Sequence, residues 1–366
     1  MFQHLSDADL GERLAVRTLE LVDIPSESRT EDVLAAHALR VLQAGGVPAR
    51  DAQDTCVLTD PLGAPDGPLI LLGGHFDTVP AQGNIPGSRD AEHVHGLGAA
   101  DMLGAVAVAM ECALALAADP AGATARLGLC LFGREELAVA ESALTPLLER
   151  EPGMRDADLV LMMEPTDNTI HAGCLGNINA TWSFHGRSGH SARPWQADNA
   201  IDRAARGIVR LTGQTAPAEH VFDGLTFTEV TSVTQISGGI AQNVIPDRVD
   251  AHVNHRYAPG TSAADAEAHV RVLCGGEGES LEITSNAPSG AVCASDPLVR
   301  RLIACGELPV APKQAWTPVA EFTAMGMSAI NFGPGAPKHA HQRDERIRVA
   351  ALVRCARILD AFLSAA

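Results

Sequence analysis

Several acidic and imidazole side chains stand just past the ends of apolar runs. His75 and Asp77 follow "LILLGG", Glu135 and Glu136 follow "LGLCLF", Glu164 follows "LVLMM", and His341 closes "AINFGPGAPKHAH". Asp101 opens the apolar stretch that runs to Ala118. Imidazole nitrogens and carboxylate oxygens are the donor atoms that Zn2+, Mn2+ and Co2+ accept. Taken singly, each of these residues reads as a satisfied polar group at a strand end, and His93, His95 and His171 are read that way. The recurrence is what points to a metal centre, because ligands of open α/β sheets bind beyond the carboxyl ends of the strands. His75 and Asp77 are two apart, so on an extended segment they point the same way. Asp77 then either orients the His75 ring or binds metal itself. Glu135 and Glu136 place like charges side by side, which raises the question of whether they do different work.

The elements that must position these residues follow from the hydrophobic pattern. Residues 6–22 have helical spacing and stop at Pro25, and a second helix follows from Glu31 to Ala44. "PLILLGGHFD", "ARLGLCLFG" and "ADLVLMMEP" are short apolar runs that predict buried strands, and Asp101 to Ala118 predicts a long buried helix. A loop rich in Gly, Pro and Asn separates the first strand from that helix. Strands alternating with helices predict an α/β domain with a mostly parallel sheet. Near Gly176 the character changes. "NATWSFHG", "FTEVTSVTQISGG" and "RVDAHVNHRYAP" alternate apolar and polar residues, as strands with one wet face do. Helices are expected at Asn199–Leu211 and Ser262–Leu273. After Pro288 the first pattern returns, with a helix from Asp296 to Cys305, a strand at "SAINFG" and a last helix from Ile347 to Leu363. The expected organisation is a discontinuous domain, 1–176 and 288–366, interrupted by a smaller sandwich-like α+β domain over 177–287.

The bulk composition narrows the partners. The 366 residues carry a formal net charge of −18, which disfavours nucleic acid and anionic membrane surfaces. Eight cysteines with no C-x-x-C pair, mostly in apolar stretches, read as reduced core thiols. The N-terminal segment has neither a basic start nor an apolar core, so no signal peptide is expected. "GAVAVAMECALALAA" is too short to cross a bilayer. The expected location is the cytoplasm.

The ordered segments "GGHFDTVP", "GLGAADMLGAVA", "REE", "MMEPTD", "GRSGHSARPWQADNA", "AQNVIPD", "NHRYAP" and "AHQRDE" span the chain from about Leu21 to Ile347. In order and spacing they resemble the dinuclear metallopeptidases and amidohydrolases of the aminoacylase, glutamate carboxypeptidase and succinyl-diaminopimelate desuccinylase group. Several motifs in order are far more specific than any one. "AGCLGN", "HSARPWQADNA" and "AMGMSAINFGPG" are most similar to the desuccinylases, whose reaction belongs to lysine biosynthesis.

The resemblance implies roles. His75 and Glu164 would bind one Zn2+, Glu136 and His341 the other, and Asp101 both, with Co2+ or Mn2+ as substitutes. Asp77 would support His75. Glu135 would be the general base for water held between the metals. Two metals roughly 3.5–4 Å apart can activate water and polarise a carbonyl. Neighbouring positions on an extended chain face opposite ways, so one glutamate can ligate while the other handles the proton. The insert would be the lid and dimerisation domain of a homodimer. His190 would stabilise the oxyanion in the neighbouring subunit's site, and Arg256 and Asn243 would hold a substrate carboxylate. The implied reaction is hydrolysis of the N-acyl amide of a small amino acid, with N-acetylornithine-type deacylase or dipeptidase activity as the alternatives. This sequence departs from the family pattern at Leu97, Leu103, Arg134 and Pro318.

Overall fold

A computed structural model describes residues 1–364. The chain divides into two compact units. The first comprises Met1–Gly173, Cys293–Ala311 and Thr317–Ala366, and the second Cys174–Val292 with Pro312–Trp316.

In the first unit, Leu69–His75 is buried at every position. It lies between two parallel neighbours, Arg126–Phe132 and Leu159–Met162. The latter pairs in parallel with Ala329–Asn331. These strands form the centre of a nine-stranded sheet whose outer strands, such as Val57–Thr59, are antiparallel. A parallel sheet covered on both faces needs unbroken apolar strands, which is why "LILLGG" and "RLGLCLF" show no alternation. The fold class is thus the α/β one expected. Gly74 matters for close packing. A Cβ there would lie 3.2 Å from both the Met102 Cε and the Val106 Cγ2, so those side chains would have to give by a few tenths of an ångström.

The first helix, Asp7–Val22, starts where the Ser6 hydroxyl accepts the Asp9 N–H, and buries Leu10, Leu14 and Leu21. The helix expected from Asp101 begins later, at Gly104. Residues Ala99–Leu103 instead form a wide turn, in which Asp101 has φ −128° and ψ 91°. The Asp101–Met102 peptide is cis. The stretch Ala99–Ala118 is apolar and long enough to cross a membrane, but 83% of it is buried within the fold. The last helix is Val349–Ser364, preceded by a short strand Arg346–Arg348.

The second unit holds a five-stranded antiparallel sheet with two helices. Its order is Ala218–Phe222, Leu225–Gly238, Arg248–Tyr257, Gly176–His185 and Glu279–Ala287. The alternating strands bury a single face, and two helices, Ala200–Gln214 and Ala263–Leu273, supply the apolar cover that a second sheet would have supplied. Trp182 and Phe184 pack with centroids 4.4 Å apart in that core, beside Leu211, Val253 and Val270. Pro312–Trp316, which the hydrophobic pattern groups with the first domain, belongs to this unit. The Gln314 amide donates to the Thr226 carbonyl and accepts the Thr228 N–H, and the Trp316 indole donates to the Pro288 carbonyl.

Candidate metal centre

His75 ends the central strand and is fully buried. Its Nδ1 lies 2.8 Å from the Asp77 main-chain carbonyl. A carbonyl only accepts, so Nδ1 carries a proton, and the neutral ring presents its lone pair at Nε2. That Nε2 lies 3.4 Å from Asp101 Oδ1 and 4.0 Å from Glu135 Oε2. On the far side, His341 Nε2 is 2.9 Å from Glu136 Oε1 and 3.5 Å from Asp101 Oδ2. Asp101 therefore offers one carboxylate oxygen to each imidazole. The donor atoms fall into two groups, each within 4.8 Å: His75, Asp101 and Glu136, and His75, Glu135 and Glu164. All five residues and His341 are in the first unit, beyond the carboxyl ends of its parallel strands.

Asp77 holds the His75 ring through its main chain rather than its carboxylate. Its carboxylate is 3.7 Å from the His75 ring, which its carbonyl holds instead. The carboxylate accepts the main-chain N–H of Glu135 at 2.9 Å, that of Glu136 at 3.1 Å and the Ser28 hydroxyl at 2.8 Å. One buried side chain thus sets the backbone of both glutamates. Glu345 does the same for the turn before the apolar helix, accepting the N–H groups of Ala100 and Asp101 at 2.9 and 3.0 Å. Burial raises the Glu345 carboxyl to about 7. Ser28 and Glu345 carry no role in the sequence reading, although Glu345 ends the motif "AHQRDE".

The electrostatics suit cations. Burial opposes a charged His75, but Asp101, Glu135, Asp77 and Glu164 together hold its pKa well above the ordinary value. His341 is raised to about 10 by Asp101 and Glu136. Asp101 is lowered, its two imidazoles outweighing burial. Burial first, then the charge of Glu164, pushes Glu135 well above the usual carboxylate range. Neither His75 Nε2 nor Asp101 Oδ1 makes a hydrogen bond of normal geometry, although both are buried. Polar atoms this deep are costly unless satisfied. Divalent ions would satisfy them and offset the clustered carboxylates, so the donor set fits a metal pair.

Arg134 does not act on its neighbour. Its guanidinium donates to Asp54 at 2.6 Å and to the Glu141 carbonyl at 2.7 Å. Leu97 and Leu103 are buried, and Pro318 stands at the N-cap position of the short helix Val319–Ala324 without a side-chain capping bond.

The remaining three candidates belong to the second unit. His190 pairs with Val244 in a short ladder, and the Ser191 N–H donates to the Asn243 carbonyl at 3.0 Å, which brings His190 and Asn243 together. His190 Nδ1 accepts the Ala192 N–H at 3.1 Å, so its exposed Nε2 is left as a donor. Arg256 lies on the sheet face opposite the helices and donates to Asn254 at 3.1 Å. Among the described residues no carboxylate pairs with it, and burial lowers its pKa.

A family model, described as Peptidase family M20/M25/M40, matches residues 71–365. A Mycobacterium tuberculosis protein named "Putative succinyl-diaminopimelate desuccinylase DapE" is 36% identical over 349 residues, covering 94% of this chain and 96% of its own. The succinyl-diaminopimelate desuccinylase of Corynebacterium glutamicum is 34% identical over 356 residues, 95% of each chain. Among solved structures, aminopeptidase PepT from Bacillus cereus superposes with a TM-score of 0.78 at 18% identity, over 97% of this chain and 98% of that one, a likeness of fold.

Proposed function

The chain belongs to the M20/M25/M40 peptidase family of metallohydrolases, and on that basis we propose that it removes the succinyl group from N-succinyl-LL-2,6-diaminopimelate. The observation that carries the hydrolytic reading is Asp101, whose two oxygens face His75 and His341 from opposite sides. We assign His75 and Glu164 to one ion, Glu136 and His341 to the other, and Asp101 to both, with zinc as the resident metal. When bound, the pair supplies Lewis acidity and lowers the pKa of water toward neutrality. Glu135 takes a proton from the attacking water and hands it to the departing amine. Its place beside the shared His75 and Glu164 puts its carboxylate within reach of water held at the metal pair. Asp77 keeps Glu135 and Glu136 in place through their N–H groups.

Arg256, without a carboxylate partner among the described residues, and the exposed Asn243 are assigned to a substrate carboxylate. His190, with its outward donor, stabilises the oxyanion at the neighbouring subunit's site of a homodimer. The proposed location is the cytoplasm. A hydrolysis panel on Zn2+-reconstituted protein tests the substrate. N-succinyl-LL-2,6-diaminopimelate should give the highest kcat/KM. A higher value for N-acetylornithine or a dipeptide would replace the substrate while leaving the metallohydrolase reading intact.

A further inference from the structure

Outside the metal centre, the first unit has a small sheet of three strands, Ser88–Arg89, His93–His95 and Arg346–Arg348. His93 and His95 are two apart on one strand, so they share a face. Asp90 stands in the turn before them. Its Oδ1 accepts the N–H groups of Glu92 at 2.7 Å and His93 at 2.8 Å, which fixes the carboxylate. Its Oδ2 is 2.9 Å from His95 Nε2, and its Oδ1 is 3.9 Å from His93 Nδ1. The two rings are 5.6 Å apart, and the three donor atoms lie within 4.8 Å of one another.

The sequence reading takes His93 and His95 as satisfied polar groups. That describes His95, which has Asp90. It does not describe His93, for among the described residues no hydrogen bond engages either of its ring nitrogens. We propose that Asp90, His93 and His95 form a separate surface site for one Zn2+ ion. Two imidazole nitrogens and one carboxylate oxygen are a zinc donor set, and they leave the fourth position to water. The partial exposure of all three side chains admits that water.

The surrounding charges set the strength. Arg346 and Arg348 stand opposite His95 and His93 in register. Both guanidiniums are engaged elsewhere, with Asp344 and Asp167 respectively, each at 2.7 Å. Lys338 and His339 lie near Arg346, and burial, followed by the charges of Arg346 and Lys338, lowers the His339 pKa. With one carboxylate and cationic neighbours, the site is weaker than the carboxylate-rich centre and fills after it.

The test is Zn2+ titration of the metal-loaded protein by calorimetry, comparing wild type with the His93→Ala/His95→Ala double variant. Wild type should take up one more equivalent per chain than the variant, at an affinity at least roughly tenfold below that of the tight ions. The kcat of the variant, with its tight metals in place, should stay within about twofold of wild type. Equal uptake by the two proteins overturns the site. Should the double alanine variant fail to fold, His93→Gln/His95→Gln is compared in the same way, with the same two outcomes. Because the reading is a difference between two chains, it is independent of how many ions the buried centre holds.

Discussion

Glu135 and Glu136 share one anchor, the Asp77 carboxylate, yet meet different surroundings. Glu136 faces the His341 imidazole at 2.9 Å, while burial and Glu164 raise the proton affinity of Glu135. Glu135→Gln should keep both tight metals and lower kcat by about 10²–10⁴-fold, the usual worth of a general base. Metal analysis beside steady-state kinetics checks this, and unchanged kcat would remove Glu135 from that role. Asp77→Ala removes the acceptor for two N–H groups and one hydroxyl. We expect metal affinity to fall by roughly 10–100-fold, read by competition with a chromophoric chelator. The side chains grouped around Asp101 were legible in the sequence because each follows an apolar run. Ser28 and Glu345 were not. Their part is to accept or donate hydrogen bonds to segments far away in the chain, and no local pattern marks such a residue. The Asp77 contacts were hidden for the same reason, since two-residue spacing says nothing about distant main-chain donors.

At the scale of elements, continuous apolar runs identified the parallel strands, because burial on both faces leaves no room for polar positions. "ESLEITSNA", by contrast, is an edge strand, Glu279–Ala287, with polar residues on its open face, and its pattern is too weak to read alone. The wide turn at Ala99–Leu103 was also hidden, since its sequence is as apolar as the helix it precedes. Two changes test the element packing. Trp182→Ala empties the core of the second unit and should cost about 3–5 kcal/mol in urea unfolding. Glu321 lies in the short helix Val319–Ala324, and burial raises its carboxyl to about 7 from 4.5. The folded chain then binds this proton more tightly than the unfolded chain, so the group's contribution to stability falls as pH rises from about 4.5 to 7. Glu321→Gln should flatten that fall and gain up to roughly 3 kcal/mol relative to wild type at pH 8, with the two proteins at equal metal content. A pH-independent difference between them would contradict the assignment.

For the whole molecule, catalysis is assigned to two subunits, with His190 of one serving the centre of the other. Mixing His190→Ala with Glu135→Ala chains should restore part of the activity, since one site of each heterodimer then keeps both residues. Confirmed heterodimers without recovery would place His190 outside the neighbouring site. The central claim, however, is a two-metal amide hydrolase built at the carboxyl ends of a parallel sheet, with Asp101 shared between the ions. The most direct measurement is succinate release during stepwise Zn2+ addition to metal-free protein, for wild type and Asp101→Asn. Wild-type turnover should rise until two tightly held equivalents per chain are bound, while Asp101→Asn holds fewer and stays near background. Full turnover without metal, or an Asp101→Asn chain that keeps two tight ions and wild-type rate, would contradict it.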